Sequence, residues 1–375
     1  MTEAHVKALS FITFILLGFL IKKKFTSKDE TNGLKKIILL LALPATIFIA
    51  LLQVNLNTEL LILPLIALGF NVFLYAITPL LLNIIGITDS STRHTAKLLL
   101  PSLAPGLSCF PFILEFLGAP YLGKAAMADL GNKFFVLFIL YIIAISWFYK
   151  NQTSKPEPIS TKLKALGKVM LFEPVNIFIL VALLFVFSGI HMVNLPLFIQ
   201  DNLNRLSSIM TPLVLLFIGL AVVIKKKQIA QIFSLLMLKS GVTLLIIGSI
   251  VTVTPVFDTN DILLMLVFGL SACSFWPFAH ISSIAAKEVD TPEHKKTFHV
   301  DFALSILALS LPLSVLLILG ILTAGNTFTK APNILIFGFS VLGLGIIIPA
   351  FNGLKKGKLL QLNFSKLANT LVKNR

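Results

Sequence analysis

The chain of 375 residues is 57% hydrophobic and only 13% charged, with a mean hydropathy of +0.95, which leaves too little polar surface to cover a water-soluble globule. The formal charge of +15 raises nucleic acid as a partner. The basic residues, however, sit at the ends of apolar runs and not on a polar domain, so they read as orientation signals and no nucleic-acid partner is expected.

The apolar runs are about 20 residues long and do not alternate, which predicts membrane-spanning helices and not a β-barrel. In chain order they cover residues 8–21, 34–54, 60–85, 95–117, 124–149, 171–190, 200–224, 229–253, 261–286, 299–322 and 333–351. The first run starts near Ala8 without a basic leader or a small-residue cleavage site, so it reads as a span and not as a signal peptide. With eleven spans, Lys22 to Lys24, Lys28, Lys35, Lys36, Arg93, Lys150, Lys155, Lys162, Lys164, Lys168 and Lys225 to Lys227 share one side. Lys287, Lys295, Lys296 and the basic tail from Lys355 fall there too. The positive-inside rule then puts the N-terminus outside and the C-terminus in the cytoplasm. The tail, with Phe364 and Leu367, is expected to lie on anionic lipid.

The longest connection, residues 150–170, is basic and contains Pro156 and Pro158, so it is read as a cytoplasmic linker between two halves. Residues 1–149 and 171–322 then hold five spans each, and residues 323–375 add one more span and the tail. An odd repeat unit reverses direction when it is duplicated, so the fold expected is all-α and polytopic, with two inverted five-helix repeats. Both halves carry a similar interruption. The fourth span reads Gly106-Leu107-Ser108-Cys109-Phe110-Pro111-Phe112, and the ninth reads Gly269-Leu270-Ser271-Ala272-Cys273-Ser274-Phe275-Trp276-Pro277-Phe278. Pro111 and Pro277 stand 166 residues apart, and Pro44 and Pro212 in the second and seventh spans stand 168 apart. Proline inside a helix costs about 3 kcal/mol unless the break is used. Broken helices at corresponding places in two inverted halves point to a transporter site, where free N–H groups and positive dipole ends near Pro111 and Pro277 suit a carboxylate. The plain alternative is two ordinary proline kinks.

These residues resemble the auxin efflux carrier family, which includes bacterial malonate-type permeases and is related to the plant PIN carriers and to the bile acid/sodium symporter fold group. Ala42-Leu43-Pro44-Ala45-Thr46-Ile47-Phe48, after a first span ending in Gly18-Phe19, looks like that family's second helix. Ala128-Asp129-Leu130-Gly131-Asn132 looks like its fifth, and Ala286-Lys287-Glu288-Val289 sits where its ninth helix ends. The resemblance spans residues 8–322 in short scattered motifs. It implies ten helices with the fourth and ninth crossing, a scaffold of helices one, two, six and seven, a moving domain from the rest, a dimer, and a bacterial cytoplasmic membrane. The chain departs from the family in its extra span and in having Ser108 and Cys109 where auxin carriers use Asn.

Ionisable groups inside spans are costly and therefore candidates for function. Ser108, Cys109, Pro111, Asn132, Ser274, Pro277 and Lys239 are assigned to substrate binding, and His280, Asp129, Lys133 and Glu115 to proton or ion coupling. Each has a plainer reading. Asp129 and Lys133 at i, i+4 make a structural ion pair, His280 a packing histidine, and Glu115 a group near the outer surface. Glu173 reads as a helix-start carboxylate, and His299 and Asp301 as the mouth of the tenth span. Cys109 and Cys273 lack metal-ligand spacing, and no cofactor is expected beyond a coupling H+ or Na+. The leading expectation is a secondary transporter of a small organic anion. The rivals are a sodium-coupled symporter and a membrane sensor without transport; an enzyme is disfavoured because the spans carry no nucleophile or zinc motif.

Overall fold

A computed structural model describes residues 2–25, 27–54, 58–151, 159–221, 228–254, 257–292 and 295–355, and all regular structure among them is helical. Lys155, Pro156, Pro158, Lys225 to Lys227 and the tail with Phe364 and Leu367 lie outside the described residues. The chain is an all-α polytopic membrane protein. Seven of its helices are long and apolar enough to cross a membrane, and an eighth is reached if the pair Ser160–Phe172 and Pro174–Phe187, bent by 60°, forms one span.

In order, the first span is α1 (Glu3–Ile21). The second is α2 (Lys28–Ile37), which passes through a π-turn at Ile38–Ala42 into α3 (Leu43–Leu52). The third is α4 (Thr58–Ile85). The fourth interval divides into α5 (Ser90–Leu99), α6 (Pro105–Ser108) and α7 (Phe110–Leu117). The fifth is α8 (Ala119–Phe134), continued through a π-turn at Phe135–Ile139 into α9 (Leu140–Asn151). The interval read as a linker holds a helix of its own, α10 (Ile159–Phe172), which leads into α11 (Pro174–Phe187). Then come α12 (Leu197–Ser208), α13 (Met210–Ala221) and α14 (Ile229–Val253). The ninth interval divides into α15 (Thr259–Gly269) and α16 (Trp276–Ala285), and α17 (Val300–Ala324) and α18 (Ala331–Lys355) follow. The two divided intervals yield no unbroken helix of spanning length, because their backbone leaves the helix near the middle.

Pro44 stands at the start of α3, just after the π-turn, and Pro212 is the third residue of α13, three residues past the boundary with α12 at Ile209. Both prolines therefore mark real irregularities. Lipid gives helices no hydrophobic reason to associate with one another, so association rests on close packing of small residues. Gly18 and Gly219 let α1 and α13 meet: a Cβ on Gly219 would lie 2.1 Å from the Ile15 carbonyl oxygen, and one on Gly18 would lie 2.3 Å from that of Leu216. Phe48 of α3 packs edge-on against Phe178 and Phe185 of α11, with centroids 5.7 and 6.0 Å away. Every side chain of α3 is buried, whereas α1 fully buries only Ala8, Phe11 and Gly18, packs Phe14 and Ile15 against the core, and leaves Leu9, Ile12, Leu16, Leu17 and Leu20 exposed. Gly241 and Gly345 bring α14 and α18 together, since a Cβ on Gly241 would meet the Leu342 backbone at 2.7 Å.

The tightest approach is at Gly131 of α8, where a Cβ would fall 1.8 Å from the Pro64 carbonyl oxygen of α4. Both partners are backbone, so neither side chain can turn aside. Gly131→Ala is expected to force α4 and α8 apart and to cost about 1–3 kcal/mol, seen as a lowered unfolding temperature of the detergent-purified protein. An unchanged midpoint would refute this contact.

Candidate functional site

The first break follows from its prolines. Pro101 and Pro105 remove two backbone donors four residues apart, and the residue before a proline is driven out of the helical region. Ala104 accordingly has φ −126° and ψ 63°. In the second break α15 ends at Gly269 and the chain resumes helix at Trp276, with Pro277 in the first turn, where its missing N–H is no loss.

The groups freed by one break are taken up by the other. Ala104 N–H donates to the Ala272 carbonyl at 2.8 Å. Ala272 N–H donates to Ser108 Oγ and Ser274 N–H to Ser102 Oγ, both at 3.0 Å. Neighbouring spans hold what remains. Asn132 of α8 accepts from Leu103 N–H at 3.1 Å and donates to the Leu103 carbonyl at 2.9 Å. Cys273 N–H donates to Ser310 Oγ of α17 at 3.3 Å. A half-helix, α7, begins at Phe110 beside Pro111 as expected, and a four-residue helix, α6, precedes it from Pro105. Pro111 is the second residue of α7, beyond a kink at Cys109, and is buried.

Beside this crossing lies a cleft of about 310 Å³. The first residues of both half-helices line it, Ala104 to Leu107 from one and Phe275 and Trp276 from the other, together with Lys35 of α2, Leu39 of the π-turn and Leu43 of α3. Of the residues assigned to substrate binding, Asn132 and Ser274 reach the cleft; of those assigned to coupling, Asp129 and Lys133 do. Ser108 and Cys109 are wholly buried behind it, with Ser108 spent on the crossing bonds, and Pro111 and Pro277 are packed away. Lys239 stands on the far side of the second break, its Nζ 3.2 Å from the Ser271 carbonyl and 3.8 Å from Cys273 Sγ. His280 bonds the Val136 carbonyl at 2.9 Å and packs edge-on to Tyr141, outside the cleft. Glu115 is exposed at the other end of α7, where its carbonyl accepts from Lys7.

Asp129 and Lys133 belong to a larger network than an i, i+4 pair. Lys133 Nζ lies 3.1 Å from Glu173 Oε2, 2.9 Å from Asn176 Oδ1 and 3.7 Å from Asp129 Oδ2. Glu173 makes no side-chain cap at the start of α11; its carboxylate serves this network. Asn132 donates to Asp129 Oδ1 at 2.8 Å and accepts from Asn71 of α4 at 2.9 Å, tying the charges to the break.

Lys35 escaped the sequence reading because it belongs to a basic cluster that reads as an orientation signal. Its spacing from Leu39 and Leu43 at i, i+4 and i+8 is the stripe of one helix face running down to Pro44, and that signal was available. Among the described residues no carboxylate pairs with Lys35; its Nζ lies 4.7 Å from the Phe275 ring centroid. A second cleft of about 320 Å³, between Phe70, Phe73, Ile246 and Met265, is walled almost wholly by hydrocarbon, and the lysine in its lining, Lys124, is paired with Asp261 at 2.6 Å. No protein-family model matches the chain, and no curated protein matches it.

Removing one partner of a buried ion pair costs about 3–5 kcal/mol because the other charge is left uncompensated. Lys133→Met is expected to lower thermal stability accordingly, and Asp129→Asn in that background to restore part of the loss. Additive losses in the double variant would show that the two side chains are not coupled.

Proposed function

We propose that this protein is a secondary transporter that carries a small organic carboxylate by alternating access at the crossing of its two interrupted helices. One observation carries the reading: the starting ends of both half-helices and the unpaired Lys35 converge on a single cleft whose wall is the hydrogen-bonded crossing. Helix starts present free N–H groups and positive dipole ends, and a half-buried ammonium adds charge where a carboxylate would sit. Lys133 is committed to Asp129 and Glu173, so among the described residues lining the cleft Lys35 is the cation left for the substrate.

The inverted-repeat reading is supported by the way helices pair. A five-span duplication exchanges the first span with the sixth and the second with the seventh. The observed pairs, α1 with α13 and α3 with α11, are exchanged by that operation. They also make up the scaffold that the resemblance to the auxin efflux carrier family implies. On that reading α18 is an eleventh span, the N-terminus is outside, and the cleft opens toward the cytoplasm, since Lys35 and Glu173 lie at the basic ends of their spans. Lys133 then bridges the moving α8 to Glu173 and Asn176 of the scaffold, a contact that has to break as the domains shift. A dimer and a bacterial cytoplasmic membrane belong to the same resemblance.

Purified protein in proteoliposomes loaded with unlabelled dicarboxylates or aromatic acids should exchange the labelled acid by counterflow, saturably. Lys35→Ala should raise the KM for a carboxylate about tenfold, the loss of one charge-assisted contact. Bound ligand without exchange of any acid would replace the transporter with a sensor, and an unchanged KM would remove Lys35 from the site.

A further inference from the structure

Lys239 is 5% exposed, near the middle of α14, and among the described residues no carboxylate pairs with it. A buried ammonium without a counter-ion is expensive in a membrane. What faces it is the carboxyl end of α15, an eleven-residue helix whose dipole leaves negative partial charge there. The ammonium sits on the Ser271 carbonyl, one residue beyond the helix's C-cap at Leu270, and beside the Cys273 sulfur.

Three further observations mark the place as built for a cation. Thr243, one turn along α14, packs its methyl against Gly269, and its Oγ1 is buried without a hydrogen-bond partner. The acceptor that the ammonium meets is the Ser271 carbonyl, with the Cys273 sulfur beside it. α18 closes the opposite face of α14 at the same level, through Leu342 against Gly241 and Gly345 against Leu238, so lipid is kept from the segment that bears the charge. Finally, Lys239 is absent from the cleft lining, so its charge acts on the crossing from behind and not as a direct substrate ligand.

We infer that Lys239 is a tethered cation, which neutralises the carboxyl end of α15 at the crossing in place of a soluble metal cation, so that the protein works without sodium. This rests on the transport reading for its uptake arm and on the ammonium's position alone for its stability arm. A free ion in this position would bind and leave with each cycle. An ammonium fixed to α14 stays.

The test compares wild type, Lys239→Arg and Lys239→Ala in sodium chloride and in choline chloride, by unfolding temperature in detergent and by carboxylate counterflow in proteoliposomes. Wild type and Lys239→Arg are expected to give the same unfolding temperature and the same exchange in both salts. Lys239→Ala leaves the Ser271 carbonyl facing an empty space, so its unfolding temperature should rise in sodium. Its exchange in choline should fall about tenfold and recover in sodium. Sodium dependence of the wild type would overturn the inference, as would a Lys239→Ala protein that behaves identically in the two salts. Should Lys239→Ala fail to fold in either salt, the wild-type and Lys239→Arg comparison still decides. Should no acid exchange in any protein while Lys239→Ala alone is stabilised by sodium, the transport reading falls and the tethered cation stands.

Discussion

The structure depends on one constraint: backbone polar groups released inside a membrane protein must find partners within the protein. Two helices are broken near their middles, and each break would be prohibitive alone. Together they are self-satisfying, since Ala104 bonds Ala272, and the hydroxyls of Ser102 and Ser108 accept from Ser274 and Ala272. The small residues around the breaks follow from this requirement, because bulkier side chains would keep the two backbones out of hydrogen-bonding range. Gly106 makes the same point, since a Cβ there would press to 3.1 Å from Leu43.

The spans that surround the crossing complete the accounting. Asn132 covers both backbone groups of Leu103, and Ser310 covers Cys273, so a side chain from the fifth span serves the first break and one from the tenth serves the second. Close glycine contacts bring those helices near enough to do so. Gly131, next to Asn132, sets the distance between α8 and α4, and that distance lets Asn71 reach Asn132. Packing and polar satisfaction are thus one problem here: without the glycine contact, the amide chain from Asn71 to Leu103 would have a gap.

Much of this was legible in the sequence, because composition and run length are global signals that lipid imposes on every span. The helices, their approximate limits and the presence of interruptions in the fourth and ninth intervals follow directly. The full extent of the first interruption did not, because Pro-Phe occurs in both halves and drew the comparison to Pro111, where α7 begins, while the chain also leaves the helix between Pro101 and Pro105. Proline marks where a helix is able to break, and tertiary bonds choose among the prolines. Lys35 was hidden for a related reason: a lysine at a span end serves topology and a cleft with the same charge, and only the neighbouring helices decide between them. The helix α10 within the basic connection shows a third limit, since Lys162, Lys164 and Lys168 read as a solvated linker although Leu163, Leu166 and Met170 fall at helical spacing between them.

The two halves answer a shared problem with different chemistry. By the repeat offset, Asn71 of α4 and Lys239 of α14 hold corresponding positions, each pointing toward the break region of its own half. Asn71 passes a hydrogen bond through Asn132 to Leu103 and leaves its Oδ1 buried without a partner. Lys239 reaches the break itself, with a full charge, at the carboxyl end of a helix. Negative charge near the first break comes from Asp129 and is balanced by Lys133 across to α11, so that half is neutralised between helices. At the second break, Lys239 of α14 meets the Ser271 carbonyl just past the end of α15. On the transport reading, only the first of these balances crosses the boundary between moving and fixed helices. The charges that must part during motion are therefore concentrated on the side of the crossing that faces the cleft.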